Sequence, residues 1–425
     1  MRAPMIVGIL GRFPTRAFSA WRGGSSRSNR NWRRSCLLTA VSVACGWIAW
    51  SGHVLTLPVA VLFPALWAMS PSRLTAGLVS AGYFLAASRG LPHGVANFYA
   101  AKLWPGLLLW AVASLSFAGV HAALWKGRPE GKCPGEGRTR MAMAARYLAA
   151  ATLMGLPPLG IIGWAHPLTA TGVLFPGWGW WGLVAMTAGL AMMTSRYWPA
   201  VAIVLGGLWL WSTATWTSPN LPEGWKGVDL EQGEKLGRDG SLDYHRDLIA
   251  AVRAVAGGKI SFVVLPESAL GFWTPTVERV WRQGLRGSEL TVIAGADVID
   301  PGGYDNVMVG ISADEARIFY RQRMPVPVSM WQPWRAWTGQ GGGARANLFG
   351  NPVVQSGGQK LAALICYEQL LLWPVLHSML HSPTAIVAPG NGWWTAGTSV
   401  VAIQNVSVMA WAKLFGLPVV TAFNK

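Results

Sequence analysis

Two reactive side chains in this sequence stand at the ends of apolar strands. The stretch KLAALICYEQLLLWPVLHSM, Lys360 to Met379, runs from an apolar strand into Cys366 and then into an apolar helix. A thiol on such a junction is held by rigid backbone near the free N–H groups and positive end of a helix, where a thiolate is stabilised and becomes nucleophilic. The run ISFVVLPE, Ile260 to Glu267, likewise ends a nearly continuous apolar strand in a carboxylate. A strand apolar on both faces is buried, so Glu267 emerges from a low-dielectric surround that raises its pKa toward that of a working base. Side by side, the two would be a base and a nucleophile. Taken separately, each has a plainer reading: free cysteine is among the most buried residue types and is usually inert, and a carboxylate at a strand end commonly caps or pairs.

Other constellations are weaker. His377 and His381 lie one helical turn apart, but no acid or further histidine accompanies them, so they read as a helix-face pair and no metal site is expected. The run GQGGG, Gly339 to Gly343, lacks a following Lys-Ser/Thr and reads as a flexible loop, so no nucleotide or other cofactor is expected.

The elements that must position Cys366 and Glu267 divide into two kinds. The 425 residues are 52% hydrophobic and only 12% charged, against roughly 25% charged in a soluble protein. Only Glu130 and Glu136 precede Glu223; the other sixteen of the eighteen acids follow Pro222. This contrast predicts an apolar membrane body and a water-soluble one. Residues 1–35 hold eight arginines and no acid, and read as a disordered basic cytoplasmic tail. Residues 36–217 read as a membrane domain with seven crossings: Cys36 to Trp50, Val54 to Met69, Leu74 to Ser88, Trp104 to Trp125, Ala144 to Trp164, Leu168 to Thr194 and Trp198 to Trp216. Leu74 to Ser88 is short, but seven crossings place the basic loop Lys126 to Arg140 on the same side as the tail, in accord with the positive-inside rule. Tryptophans at the ends of runs suit the headgroup level. The same parity delivers residues 218–425 to the periplasmic side of an inner membrane. Much of the formal charge of +17 flanks apolar runs and faces anionic lipid, so direct nucleic-acid binding is not expected. Cys36 and Cys45 fall in an apolar run and Cys133 in a basic loop, which leaves Cys366 unpaired in the soluble part.

From Val228 the pattern changes to short β-rich runs alternating with helical ones. Strands are expected at Ile260 to Leu265, Leu290 to Ala294, Asn306 to Ile311, Ala316 to Tyr320, Leu361 to Ile365, Ala385 to Ala388 and Val419 to Ala422. Helices are expected at Leu242 to Ala256, Pro275 to Leu285, Glu368 to Leu380 and Ser399 to Phe415. Such alternation argues an α/β sandwich.

The succession VVLPESAL, YDNVMVG, FYRQRMPVP, LICYEQLL, APGNGWW and PVVTAFN resembles the carbon–nitrogen hydrolase (nitrilase) superfamily. Seven apolar runs ahead of it look like the apolipoprotein N-acyltransferase branch, and the wording RQRMPVPVSMWQPW looks most like the conjugal-transfer proteins of rhizobial-type plasmids. The resemblance implies a multi-pass α-helical membrane region followed by an αββα sandwich with a Glu, a Lys and a Cys as its catalytic set. Glu267 and Cys366 match the first and last of these, and Glu368 matches a further carboxylate of the CYE motif. The lysine does not match: in the string Tyr320 to Pro327 its position is held by Gln322, and Met330 stands where the acyltransferases have a Glu.

A membrane-anchored protein of conjugal plasmid transfer is what the resemblance implies. Glu267 would take the thiol proton, Cys366 would attack an acyl carbonyl, and the thioester would pass to water or an amine. Gln322 and the backbone N–H groups near Tyr367 would supply oxyanion donors. Glu368, Tyr367, Trp331, Asn391 and Trp393 would line the substrate, and Trp331, Trp334 and Trp337 would form a lid dipping into lipid, unless they are simply a packed aromatic loop. Membrane lipid and conjugation-apparatus proteins are the implied partners. Two other functions fit the same residues: a catalytically impaired scaffold that keeps the fold for docking, and a lipid acyltransferase.

Overall fold

The computed structural model describes residues 17–127, 136–237, 240–257, 259–339 and 341–425. The first sixteen residues of the arginine-rich tail, and the part of the basic loop that carries Cys133, lie outside the described residues. The chain first forms nine helices among those residues: α1 (Ala17–Ala49), α2 (Phe63–Ala68), α3 (Arg73–Ala87), α4 (Leu91–Phe98), α5 (Trp104–Leu124), α6 (Glu136–Gly155), α7 (Thr171–Leu174), α8 (Gly179–Met193) and α9 (Trp198–Ala214). The expectation of a disordered tail up to Ser35 is corrected from Ala17 onward. Once the apolar run from Cys36 is helical, adding residues to its N-terminal end costs far less than starting a new helix.

All seven apolar runs contain helix; those from Cys36, Leu74, Trp104 and Trp198 are unbroken and end within two residues of the expected bounds, whereas the other three are interrupted. Among the described residues one helix, Trp104–Leu124, is long and apolar enough to cross a membrane, with a mean hydropathy of 1.8. Proline and glycine account for the interruptions. The second run is a 3-10 turn, Val54–Leu62, with Pro58 inside it, before α2 begins beside Pro64. Helix α6 stops at Gly155, just before Pro157 and Pro158, and the run from Leu168 breaks at Phe175 and restarts at Gly179.

The second half is an αββα sandwich. One sheet has the order β1 (Trp225–Gly227), β2 (Phe262–Val264), β3 (Thr291–Asp300), β4 (Gly303–Ile311), β5 (Ala316–Arg321), with β1, β2 and β3 parallel and the last two joins antiparallel. The other has the order β6 (Val354–Ser356), β7 (Gln359–Ala363), β8 (Ala385–Asn391), β9 (Val419–Asn424), with β7, β8 and β9 parallel. Helices α10 (Leu242–Val255) and α11 (Pro275–Gly284) cover the first sheet, burying Leu248, Ile249, Val252 and Trp281 against Val263 and Val292. The facing sides of the sheets share a core that includes Val264, Ile293, Met308, Leu361, Ile365 and Val420. Strands β1 and β6 lack an expectation from sequence; each is three residues long, too short for alternation to show.

The outer face of the second sheet is covered by α12 (Leu372–Met379) and α13 (Val400–Phe415), and these pack directly on the N-terminal helices. One continuous core runs from Trp67, Tyr83 and Val173 through Val408 and Trp411 to Ile386 and Ala388. The contact is close enough that a Cβ at Gly172 would lie 1.7 Å from the Ala410 carbonyl oxygen, so no larger residue fits there. The apolar half and the sandwich thus meet through α13, which is apolar over most of its surface because it is packed between them.

Candidate active site

Glu267 and Cys366 arrive from different sheets. Each follows the carboxyl end of a parallel strand, β2 and β7, and each sits at a bend that an L-residue adopts at a cost: Cys366 itself has φ +46°, and Ser268, next to Glu267, has φ +63°. Such left-handed residues cost of order 1–3 kcal/mol each and persist only where the surroundings over-determine them. At Glu267 the surroundings include Gly295 on β3, where a Cβ would fall 2.5 Å from the Glu267 Cα. At Cys366 they are the carboxylate of Glu368, which accepts the Ile365 N–H at 2.7 Å and those of Arg323 and Met324 at 2.6 and 3.2 Å. Glu368 also accepts from the Tyr320 hydroxyl at 2.8 Å and lies 3.8 Å from the fully buried Arg323 guanidinium. Glu368 thus pins the turn that begins at Cys366 to the chain leaving β5, and it does not line the cleft.

The Cys366 thiol and the Glu267 carboxylate face the same polar recess, close enough that each shifts the other's titration. The same carboxylate accepts Asn306 Nδ2 at 2.5 Å and the Asn391 backbone N–H at 3.1 Å. Burial pushes Glu267 up to about 7 despite these donors. Burial, and then the Glu267 charge, push the Cys366 thiol well above its ordinary value. This corrects the expectation of a stabilised thiolate. Cys366 opens a five-residue 3-10 turn, Cys366–Leu370, not an α-helix, and the free N–H groups of that turn do not outweigh the loss of water. A neutral thiol beside a carboxylate that titrates near 7 is a pair in which the proton moves as the sulfur attacks.

Gln322 is fully buried in the same place, just beyond β5. Its Nε2 donates to the Ile365 carbonyl at 3.2 Å, and its Oε1 accepts from Asn306 Nδ2 at 3.0 Å. The side-chain amide that reaches the sulfur is instead that of Gln404 on α13, with Nε2 3.5 Å from Sγ. Gln404 and Asn306 were not singled out from sequence. A buried amide inside the apolar helix VVAIQNVSVMAWAKLF was the available signal for the first, and the second sits in the quoted YDNVMVG string.

Cys366 faces a cleft with two lobes. One, of ≈ 840 Å³, lies between the sandwich and the N-terminal helices and is walled by Phe84, Leu109, Phe117, Trp164, Tyr367 and Val400. Tyr367 is fixed there by donating to the Ile161 carbonyl at 3.0 Å. The other, of ≈ 920 Å³, is bounded by Glu267, Asp297, Tyr304, Asn391 and Trp393. Of the remaining predicted residues, Trp331 packs against Met324, Leu371 and Trp373 and lines neither lobe, whereas Trp337 is 86% exposed. His377 and His381 meet edge to face, away from the cleft.

A carbon–nitrogen hydrolase family model matches residues 85–413, which reaches from α3 through α13. The chain belongs to the carbon–nitrogen hydrolase family. Within that family, it is 68% identical over 420 residues to conjugal transfer protein TraB of Agrobacterium fabrum, covering 99% of this chain and 100% of that one. It is 59% identical over 388 residues to a probable conjugal transfer protein TraB of Sinorhizobium fredii, covering 91% and 97%. Among solved structures, an amidase of the nitrilase superfamily from Nesterenkonia is 13% identical with a TM-score of 0.35, over 49% of this chain and 78% of that chain. In this carbon–nitrogen hydrolase the position at which the superfamily resemblance puts a lysine is therefore the neutral, hydrogen-bonded Gln322.

Proposed function

We propose that this protein is a membrane-embedded, cysteine-dependent acyl-transferring or amide-cleaving enzyme of conjugal plasmid transfer. The single observation that carries the reading is the juxtaposition of the Cys366 thiol and the Glu267 carboxylate in one polar lobe, with Cys366 also opening onto an apolar lobe. In the first step Glu267 takes the thiol proton as Sγ bonds to an acyl carbonyl carbon, and the carbonyl π electrons move to oxygen. Gln404 Nε2, 3.5 Å from Sγ, is the donor nearest that oxygen, since the Asn391 backbone N–H is already taken up by Glu267. Collapse of the tetrahedral adduct expels the amine or alcohol, which takes the proton back from Glu267 and leaves a thioester. Water or an amine then attacks the thioester, with Glu267 again as base, and the thiol is restored.

The apolar lobe fits the acyl chain of a membrane lipid. One of its walls is α5, whose other face exposes Leu108, Val112 and Leu115, and the neighbouring helices α8 and α9 likewise expose Trp181, Val184, Ile203, Val204 and Leu210. An exposed apolar surface of that extent supports burial in a bilayer, with residues 36–217 as the multi-pass membrane domain and residues 218–425 on the periplasmic side. The conjugal role rests on the TraB relatives, and the partners it implies are proteins of the conjugation apparatus.

Mass spectrometry of Cys366 after incubation with membranes tests the chemistry, since an acyl group should be trapped on the sulfur when acceptor is withheld. Cys366→Ala should abolish plasmid transfer at unchanged protein level. Unaffected transfer would mean that the fold serves docking and not catalysis. A periplasm-active reporter fused after Pro222 should be active and one at Gly131 silent; the reverse pattern rules out the proposed orientation.

A further inference from the structure

The polar lobe has an unusual electrostatic character. Two carboxylates, Glu267 and Asp297, open into it, and no lysine, arginine or histidine is among the described residues that line it. At the position where the family resemblance places an ammonium, Gln322 is neutral and already engaged by Ile365 and Asn306. Asp297 sits on β3 directly opposite Asn306 on β4, so the β-ladder fixes it beside the Glu267–Asn306 pair. Its backbone is bonded to Gly271 and Trp273. Its carboxylate is pushed up to about 7 by burial and then by Glu267, and no donor acts in the other direction. Five aromatic side chains stand in the rest of the wall, among aliphatic residues such as Leu91, Val326 and Met330. Trp393 stacks on Phe98 with ring centroids 6.0 Å apart, Tyr99 meets Phe98 edge-on at 5.0 Å, and Tyr304 and Trp394 complete the surround.

Carboxylate and ring faces without a competing cation are the surroundings that hold a desolvated ammonium. We propose that the polar lobe is an alkylammonium site, in which Asp297 supplies the countercharge and Trp393 and its aromatic neighbours the walls, so that positively charged substrates are selected. The proposal deepens the reading of Cys366 as the reactive thiol. It assigns a role to Asp297 that the Cys366 chemistry does not require. A cation in the lobe would also relieve the repulsion between Asp297 and Glu267, which nothing else among the described lining residues can do.

Charge-matched thiol reagents test this on the full chain in a nonionic detergent, with modification of the Cys366 peptide read by mass spectrometry. The cationic ethyltrimethylammonium and anionic ethylsulfonate methanethiosulfonates are each normalised to their rates with free mercaptoethanol. The cation should react at least about tenfold faster, as expected for nearby opposite charge, and Asp297→Asn should lower the ratio several-fold, with the Glu267 charge remaining. Choline should protect Cys366 and its neutral isostere 3,3-dimethylbutanol should not, and Trp393→Ala should weaken that protection. Protection by free choline assigns a soluble amine; protection only by phosphatidylcholine in the micelle, and not by phosphatidylglycerol, assigns a lipid headgroup. Equal normalised rates in the unmodified protein, an unchanged ratio in Asp297→Asn, or equal protection by choline and its isostere overturns the proposal. Iodoacetamide separates the two readings. If it labels Cys366 while neither charged reagent does, the ammonium site alone fails; if it does not label either, the reactive-thiol reading fails first. The choline comparison needs no variant, so a misfolded Asp297→Asn leaves the proposal open to refutation.

Discussion

Glu267→Gln removes the base while keeping the shape of the side chain, and its effect on the pH dependence of Cys366 alkylation can be worked out from the site. With Glu267 at about 7, roughly 1% of the carboxylate is ionised at pH 5 and about 90% at pH 8. If the carboxylate accepts the thiol proton during attack, iodoacetamide should modify Cys366 about ninety-fold faster at the higher pH, with a midpoint near 7. In Glu267→Gln that limb should vanish. What remains is the thiol's own ionisation, which burial still displaces above the ordinary range because burial, before the Glu267 charge, is the larger cause. The variant should therefore be slow and nearly flat from pH 5 to 8 and rise only beyond. Rates are read by mass spectrometry of the Cys366 peptide at each pH. A folded Glu267→Gln protein that keeps the wild-type midpoint near 7 would falsify the pairing of thiol and carboxylate as a base–nucleophile unit.

The same substitution has a stability signature. The folded-state value of Glu267 lies above its ordinary 4.5, so its contribution is full below about pH 4.5 and is lost as pH rises through 7. Glu267→Gln should gain on the wild type over that interval by up to about 3 kcal/mol in denaturant or thermal unfolding, and a gain on acidification instead would reverse the argument. Arg323→Met strands the Glu368 carboxylate in the core and leaves the Pro374 and Ala363 carbonyls without their donor. A loss of about 3 to 5 kcal/mol is expected in the same melts, and an unchanged midpoint would show that Glu368 is held by its other donors alone. Gln322→Lys places an ammonium near Glu267, and should move the acid limb of the alkylation profile down by about 1 to 3 pH units; no movement in a folded protein means that residue 322 does not sense the dyad. Gln404→Ala should lower acyl turnover by about a hundred- to a thousandfold with little change in folding, whereas a wild-type rate removes Gln404 from the oxyanion donors.

The sandwich was largely legible because its strands are either buried on both faces or end in chemistry-bearing residues. The runs ISFVVLPE and LAALICYE mark β2 and β7 by apolar content, and the Glu and Cys at their ends mark the site. The helical half was legible as apolar runs and not in where three of them break. Hydropathy counts residues, but Pro58, Pro157 and Gly177 decide where a helix can continue, and Val400–Phe415, read as an ordinary sandwich helix, is as apolar as several runs assigned to the membrane. Only packing explains that last case. Helix α13 is pressed between the second sheet and α7, and is therefore apolar over most of its surface.

The site was legible where the chain itself forces a position and opaque where two elements distant in sequence must meet. Cys366 and Glu267 could be read because each ends a strand. Glu368 could be noticed but not placed, since its role depends on Tyr320, Arg323 and Met324, which reach it only after β5 and β7 pack face to face. Gln404 was hidden for a further reason: periodicity reads a buried amide in an apolar helix as an exception, and only the crossing of α13 over the Cys366 turn makes it a donor. The same crossing brings the N-terminal helices over the sulfur, because α13 touches both. Helix packing therefore decides more than the fold here. By walling the polar lobe with Leu91, Val95 and Phe98 of α4, it helps to exclude the water that would otherwise lower Glu267, and so to set the base that the Cys366 chemistry requires.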